Sequence, residues 1–361
     1  MVEQREYSHS PDEAGRASPM HTMQARVATD LHRQLSPEAR EIPQQRFALY
    51  EIAAESPDGR PLDAESVRDP KRCHIVTCNS ERAGEFSEQE YSRMKYGCGS
   101  VAQVLGRRLA DSFIKEHLEE LGLLDPFDVV VTSSAYKVAP TASNAVMQSF
   151  LARLNEFFLF RGKGPAHPVH ISRLTLSQGD YGVLTQEQRE ERMHANRLYV
   201  DPSQVQGKHV IIVDDACITG AHERNLTELL APHSPASLRF LYLAKLAPGE
   251  NGKFSKIEDR INHADIFSPQ NVADLMLRPD FVLNDRVCKF FLSSRMPLEN
   301  MQPLLENLIE AGGGPQVSLL QHYCLGNGYA AMPQYEERYS VIVRALEAKG
   351  LWSSPAWSTR D

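Results

Sequence analysis

The chain has 361 residues, of which 42% are hydrophobic and 24% charged, with a formal net charge of −8. That is enough apolar material for one large core with appendages or for two modest ones, and the negative balance argues against a broad nucleic-acid surface. No apolar run is long enough to span a membrane, so no membrane partner is expected. The opening stretch MVEQREYSHSPDEAGRASP has no apolar h-region, so no secretory signal is expected either. Six cysteines (Cys73, Cys78, Cys98, Cys217, Cys288, Cys324) without a CxxC pair read as free thiols of a reducing cytoplasm. They offer no metal site.

Residues 1–40 are polar and aperiodic and are expected to be a flexible tail, with a short helix over 23–35. Segments 47–53 and 73–78 read as strands of a small sheet beside the main one, separated by the turn-rich ESPDGRPLD. Residues 86–100, FSEQEYSRMKYGCGS, concentrate Tyr91, Arg93, Lys95 and Tyr96. Two readings stand side by side: aromatic faces and cations that meet a substrate, or a helix entry with solvated charges. Ser100 is expected to cap a long helix whose core face carries Val101, Val104, Leu105, Leu109, Phe113, Ile114 and Leu118.

A buried strand is expected over 127–131, followed by the polar loop TSSAYKVAP at 132–140. Such a loop sits at the carboxyl edge of a parallel sheet, where open α/β folds bind ligands. A helix follows over 141–160 and a short strand over 169–174. The long polar segment 175–196 is of a length that is usually functional or disordered.

The strongest signal is residues 208–226, KHVIIVDDACITGAHERNL. Val210 to Val213 form a β-branched run suited to a strand buried on both faces. It stops at Asp214 and Asp215; Thr219 and Gly220 follow, and a helix is expected over 223–230. Backbone N–H groups of a loop entering a helix point at phosphate, and the helix dipole favours negative charge there. Carboxylates at the strand end suit ribose hydroxyls. Beyond lie a buried strand at 238–244, the turn PGENGK at 248–253, and helices at 257–264, 269–277, 297–311 and 335–351, divided by GGGP at 312–315. No internal repeat is visible.

This stretch resembles the motif by which type I phosphoribosyltransferases bind 5-phosphoribosyl 1-pyrophosphate (PRPP): four hydrophobics, two acids, three variable residues, then Thr-Gly. Ala135-Tyr136-Lys137 resembles the pyrophosphate loop of orotate phosphoribosyltransferases, Ala-Tyr-Lys-Gly, with Val138 in place of the glycine. The resemblance implies an α/β fold, a twisted, mainly parallel sheet flanked by helices. The expected layout is a tail at 1–40, a hood-like segment at 41–99, a core at 100–250 and a helical extension at 251–361. It implies a PRPP-dependent pentosyltransferase, cytoplasmic and homodimeric, that moves 5-phosphoribosyl to a nitrogenous acceptor and releases pyrophosphate. By the same resemblance Asp214 and Asp215 hold the ribose hydroxyls, and Ala216, Cys217, Ile218, Thr219 and Gly220 hold the 5′-phosphate. Ser134, Ala135, Tyr136 and Lys137 form the pyrophosphate loop, Arg173, Arg189 and Arg192 are further pyrophosphate contacts, and Mg²⁺ arrives bound to PRPP rather than on protein ligands. The segment 175–196 would close over the site, although it lacks the Lys-Asp-His-Gly of orotate enzymes. The C-terminal helices complete the hood, extend a dimer interface or cover the acceptor, with NGYAAMPQY as the point of contact.

After Thr-Gly the family usually carries Gly-Thr or Gly-Ser, where this chain has Ala221 and His222, so an imidazole stands in for a hydroxyl donor. That departure keeps two other readings open: a non-catalytic PRPP or nucleotide sensor, and an enzyme that cleaves a phosphoribosylated product.

Overall fold

The computed structural model describes residues 42–57, 62, 66–69, 71–175, 197–248 and 254–352. The expected tail with its short helix, most of the long polar segment, and with it Arg189 and Arg192, lie outside these residues.

Among the described residues the strands are β1 (Gln44–Glu55), β2 (His74–Thr77), β3 (Val129–Ser133), β4 (His167–Pro168), β5 (Ser172–Arg173), β6 (Leu198–Tyr199), β7 (His209–Cys217) and β8 (Ser237–Leu246). The helices are α1 (Ser80–Ala83), α2 (Glu88–Lys95), α3 (Gly99–Glu116), α4 (Leu118–Leu123), α5 (Ala142–Phe160) and α6 (Ala221–Leu230). The remaining helices are α7 (Phe254–Asn262), α8 (Pro269–Met276), α9 (Asp285–Leu292), α10 (Leu298–Leu308), α11 (Gly314–Gly326) and α12 (Pro333–Ala348). Six strands form one sheet in the order β2-β1-β8-β7-β3-β4, parallel except for β2. β5 and β6 pair antiparallel in a separate ribbon.

The alternation along β7 explains the layers. Ile211 and Val213 pack on one face with Leu105 and Leu109 of α3 and Phe150 and Leu154 of α5. Val210 and Ile212 pack on the other with Leu226 and Leu230 of α6. A strand apolar on both sides needs helices on both sides, and the chain supplies them. The C-terminal helices build a second core around Val272, Met276, Val287, Phe291, Leu305, Leu320 and Ile342.

Several expectations are corrected. β1 is not part of a side sheet: it pairs in parallel with β8 from Gln44↔Leu238 to Ile52↔Leu246, because Phe47, Leu49 and Ile52 are apolar enough to be buried inside the main sheet. Ser100 does not cap the long helix. α3 starts at Gly99, and the Asp280 carboxylate accepts the Ser100 N–H at 2.9 Å. Val104 is exposed, since α3 turns only part of that stripe onto the sheet and α5, and Leu118 is exposed because the long helix ends at Glu116 and Leu118 starts α4. β7 does not stop at Val213 but continues to Cys217, because β8 keeps pairing with it, Ala216↔Ala244 and Cys217↔Lys245. α9 and α11 are additional helices; GGGP does divide the helices, through a kink at Gly312 with φ 99.

One buried carboxylate ties three of these elements together. Glu223, in the first turn of α6, takes Arg46 Nε at 2.7 and 2.8 Å, Gln44 Nε2 at 2.6 Å and the Tyr242 hydroxyl at 2.9 Å. It is stabilised further by the positive end of its own helix. Replacing Glu223 with Ala should cost about 3 kcal/mol, because it strands several donors around a vacated buried site. Urea unfolding measures this, and a loss below about 0.5 kcal/mol, the range of a surface substitution, would show that α6 is not held in this way.

Candidate active site

The site opens where two neighbouring strands part. β3 pairs with β7 as far as Ser133↔Val213 and then leaves toward α5, while β7 runs on beside β8 and enters α6. Because α5 and α6 cover opposite faces, a crevice forms at the carboxyl ends of the strands. It holds a cavity of about 310 Å³, at the small end of ligand pockets. Asp214, Asp215, Ala216, Cys217, Ile218, Thr219, Gly220 and His222 line it, with Ser134 and Arg173. The sequence-derived candidates are therefore brought together, except Ala135, Tyr136 and Lys137. Those three line an adjoining small cleft that shares Arg173, Thr141 and Asp285 with the main cavity.

The two carboxylates, consecutive on a strand, face opposite ways. Asp214 lies on the α6 side. Its Oδ1 accepts the Ser134 hydroxyl at 2.5 Å and the Asp215 N–H at 2.9 Å, and its Oδ2 is 3.9 Å from His222 Nε2. Ser143 donates to Ser134 at 3.0 Å, so a chain of hydroxyls fixes that carboxylate from α5. Burial pushes the Asp214 pKa up and Asp215 adds to the rise, against His222 and Ser134. Asp215 lies on the α2 side, where Lys95 Nζ meets Oδ2 at 2.5 Å and the Tyr91 hydroxyl donates to Oδ1 at 3.4 Å. Burial first, and Asp215 second, drive the Tyr91 pKa well up, so this phenol stays a donor.

The turn after β7 is a ready anion seat. Gly220 has φ 68, a left-handed conformation that glycine adopts without strain, and it brings the chain straight into α6. The Thr219 hydroxyl accepts the Ala221 N–H at 3.4 Å and can also donate. His222 follows on the first helical turn, and its Nε2 has no hydrogen-bond partner among the described residues. Burial is the largest influence and holds the imidazole pKa low; Asp214 opposes it and Arg173 adds to it. Without a ligand the ring is neutral, as expected beside a helix N-terminus, which disfavours a cation. A bound anion would favour the imidazolium.

The loop 134–140 runs beside β5. The Tyr136 N–H donates to Ile171 O at 3.3 Å, Tyr136 O accepts the Arg173 N–H at 2.9 Å, and the Tyr136 ring lies 4.2 Å from that of His170. Lys137 is exposed. Arg173 Nε is buried without a hydrogen-bond partner among the described residues, at the border of the two cavities.

Sequence reasoning missed a group of cavity residues from outside the motif: Glu258 from α7, and Asp285, Arg286 and Lys289 from α9. Of the aromatic and basic residues in 86–100, Lys95 and Tyr91 reach the site. Arg93 pairs with Asp265 at the surface, and Tyr96 is buried in the second core. Burial works to raise the Asp285 pKa, but Lys289 at 2.9 Å and the Tyr329 hydroxyl at 2.5 Å outweigh it and hold it low. Among the described residues no group of three or more His, Cys, Asp or Glu side chains could cage a metal ion. The donor set suits a cation that brings its own oxygen ligands to Asp214 and Asp215. No described helix is long and apolar enough to cross a membrane.

A model of the family described as PRTase ComF-like matches residues 71–342, from just before β2, through the rest of the sheet, to the middle of α12; β1 lies outside the match. No curated protein matches the chain. Solved structures similar to it include the hypoxanthine phosphoribosyl transferase of Trypanosoma cruzi, at 18% identity over 44% of this chain and 69% of that one, TM-score 0.30. The hypoxanthine-guanine phosphoribosyl transferase of L. donovani is 18% identical over 41% of this chain and 73% of that one, TM-score 0.27, and the hypoxanthine phosphoribosyltransferase of Staphylococcus aureus 15% over 42% and 76%, TM-score 0.26. These distant likenesses carry no argument about substrate. The family match does extend well beyond the motif, and by it the chain belongs to the PRTase ComF-like family, a branch of the type I phosphoribosyltransferases.

Proposed function

We propose that this cavity binds a 5-phosphoribosyl group and that the chain transfers it from PRPP to a nitrogenous acceptor, releasing pyrophosphate. One observation carries the reading: Asp214 and Asp215 share a single cavity with the helix-entry turn 218–222, which follows them on the same strand and its turn. The turn and the Thr219 hydroxyl take the 5′-phosphate, and the carboxylates take the ribose hydroxyls. Lys137 and Arg173 face the leaving pyrophosphate. The C1–O bond to pyrophosphate breaks as a C1–N bond forms with inversion, and the transition state has oxocarbenium character. The protein's part is positioning and charge stabilisation. Mg²⁺ carried by PRPP would neutralise the leaving group. Ser134 and the Asp215 N–H keep Asp214 in place, and Tyr91 and Lys95 do so for Asp215. The acceptor end is assigned to the residues of α7 and α9 that face the cavity.

A second reading, a ribose-phosphate sensor without turnover, is favoured by the ion pair that already occupies Asp215. Incubating the protein with PRPP, Mg²⁺ and a panel of nitrogenous bases decides between them. Pyrophosphate release with any base supports transfer, whereas PRPP binding without release supports the sensor.

The double substitution Asp214→Asn and Asp215→Asn keeps shape and removes charge-assisted hydrogen bonds. PRPP affinity should fall about tenfold or more. Unchanged binding and turnover would remove the ribose assignment.

His222 gives a pH signature. Its pKa is low in the free protein, so a phosphate that engages the imidazolium must raise it and draw in a proton. Affinity then increases as pH falls through the raised pKa of the complex and levels off below that of the free protein. The phosphate also titrates, near pH ~6, so the comparison is with His222→Thr, which restores a hydroxyl and should flatten the profile. Identical pH curves for both proteins would mean that His222 is not a phosphate ligand.

A further inference from the structure

A loop meant to seat pyrophosphate needs free backbone N–H donors, so it matters where those of 134–140 go. The Tyr136 N–H is spent on Ile171 O. The Val138 and Ala139 N–H groups both donate to a single atom, Asn327 Oδ1, each at 3.0 Å. Asn327 follows α11 and is 5% exposed. Its orientation is fixed from the other side, where Nδ2 donates to Asp285 Oδ1 at 2.9 Å. A flipped amide would put N–H against N–H and oxygen against carboxylate. Asp285 is itself held by Tyr329 and Lys289, and its N–H donates to Pro140 O at 2.8 Å. Packing agrees with the hydrogen bonds. The Val138 side chain sits on Gly326, where an added Cβ would lie 2.9 Å from Val138 Cγ1. The glycine missing from the loop at 138 is matched by one on the helix that meets it.

We infer that Asn327 is a specificity-determining residue: by occupying the Val138 and Ala139 amides it takes two donors from the backbone seat for a diphosphate, so the site selects its ligand by the 5-phosphoribosyl end. The ligand class that follows is the phosphoribosyl monophosphates, ribose 5-phosphate and nucleoside 5′-monophosphates, held about as well as PRPP. Lys137 and Arg173 remain for pyrophosphate, and an exposed lysine adds little. This inference rests on the ribose-phosphate reading above.

Calorimetric titration of the full chain with PRPP and with ribose 5-phosphate, both in excess MgCl₂, tests it. The wild-type affinities should agree within about tenfold, and Asn327→Ala, which frees two donors, should favour PRPP by about a further tenfold. A merely structural loss would weaken both ligands together and leave their ratio unchanged. A wild-type preference for PRPP well beyond tenfold, or an unaltered ratio in the variant, overturns the inference. Should the variant fail to fold, hydrogen exchange of the wild type replaces it. PRPP should then protect residues 216–222 and leave 135–139 as protected as before, and added protection at 135–139 overturns the inference. If neither ligand binds, the ribose-phosphate reading itself falls, and this inference with it.

Discussion

The site depends on one mismatch of strand pairing. β7 remains hydrogen-bonded to β8 through Cys217, whereas β3 abandons it at Val213. Asp214 to Cys217 are therefore held rigidly along one edge and open along the other. Rigid placement matters for a reaction at a sugar carbon, where the protein contributes geometry and fixed charge more than chemistry of its own. The Glu223 cluster extends that rigidity into the turn, because it pins the first turn of α6 to β1 and β8, just past the residues assigned to phosphate.

The two cores meet at this crevice. The sheet and its helices supply the carboxylates and the turn, and the C-terminal helices supply Asp285, Arg286, Lys289 and the Asn327 bridge. The family match runs through both. The extension is thus part of the cavity wall, although it carries no catalytic motif of its own. Charges in the wall come as engaged pairs, Lys95 with Asp215 and Lys289 with Asp285. An incoming ligand must exchange with these partners, which lowers net affinity and favours ligands whose charges match the pattern.

What could be read from the sequence was what is local. The run from Val210 to Gly220 declares a buried strand, an acidic pair and a helix-entry turn through neighbouring residues alone, and Asp214 to Gly220 line one cavity. Alternation and helical phase likewise gave α5, α8, α10 and α12. The unread features involve distant partners. Phe47 to Ile52 look like any short strand until β8 is beside them. Lys95 read equally well as a solvated helix charge, since its partner Asp215 is 120 residues away. Asn327 sits in a polar helix end, where such a residue is ordinary, and nothing nearby marks it as the partner of Val138 and Ala139. Asp285 lies in the first turn of α9, a helix the sequence did not declare. His222 shows the limit of motif reasoning: the pattern offers an imidazole in place of a hydroxyl donor, but burial lowers its pKa in the free protein, and the helix N-terminus disfavours its cation.

The central claim is that Asp214, Asp215 and the 218–222 turn together hold a 5-phosphoribosyl group. The most direct measurement is a crystal structure of the protein saturated with ribose 5-phosphate. The account predicts the phosphate within hydrogen-bonding distance of the amides entering α6 and of the Thr219 hydroxyl, with the ribose hydroxyls on the two carboxylates. A sugar phosphate bound elsewhere, or no density in this cavity at saturating ligand, would contradict it.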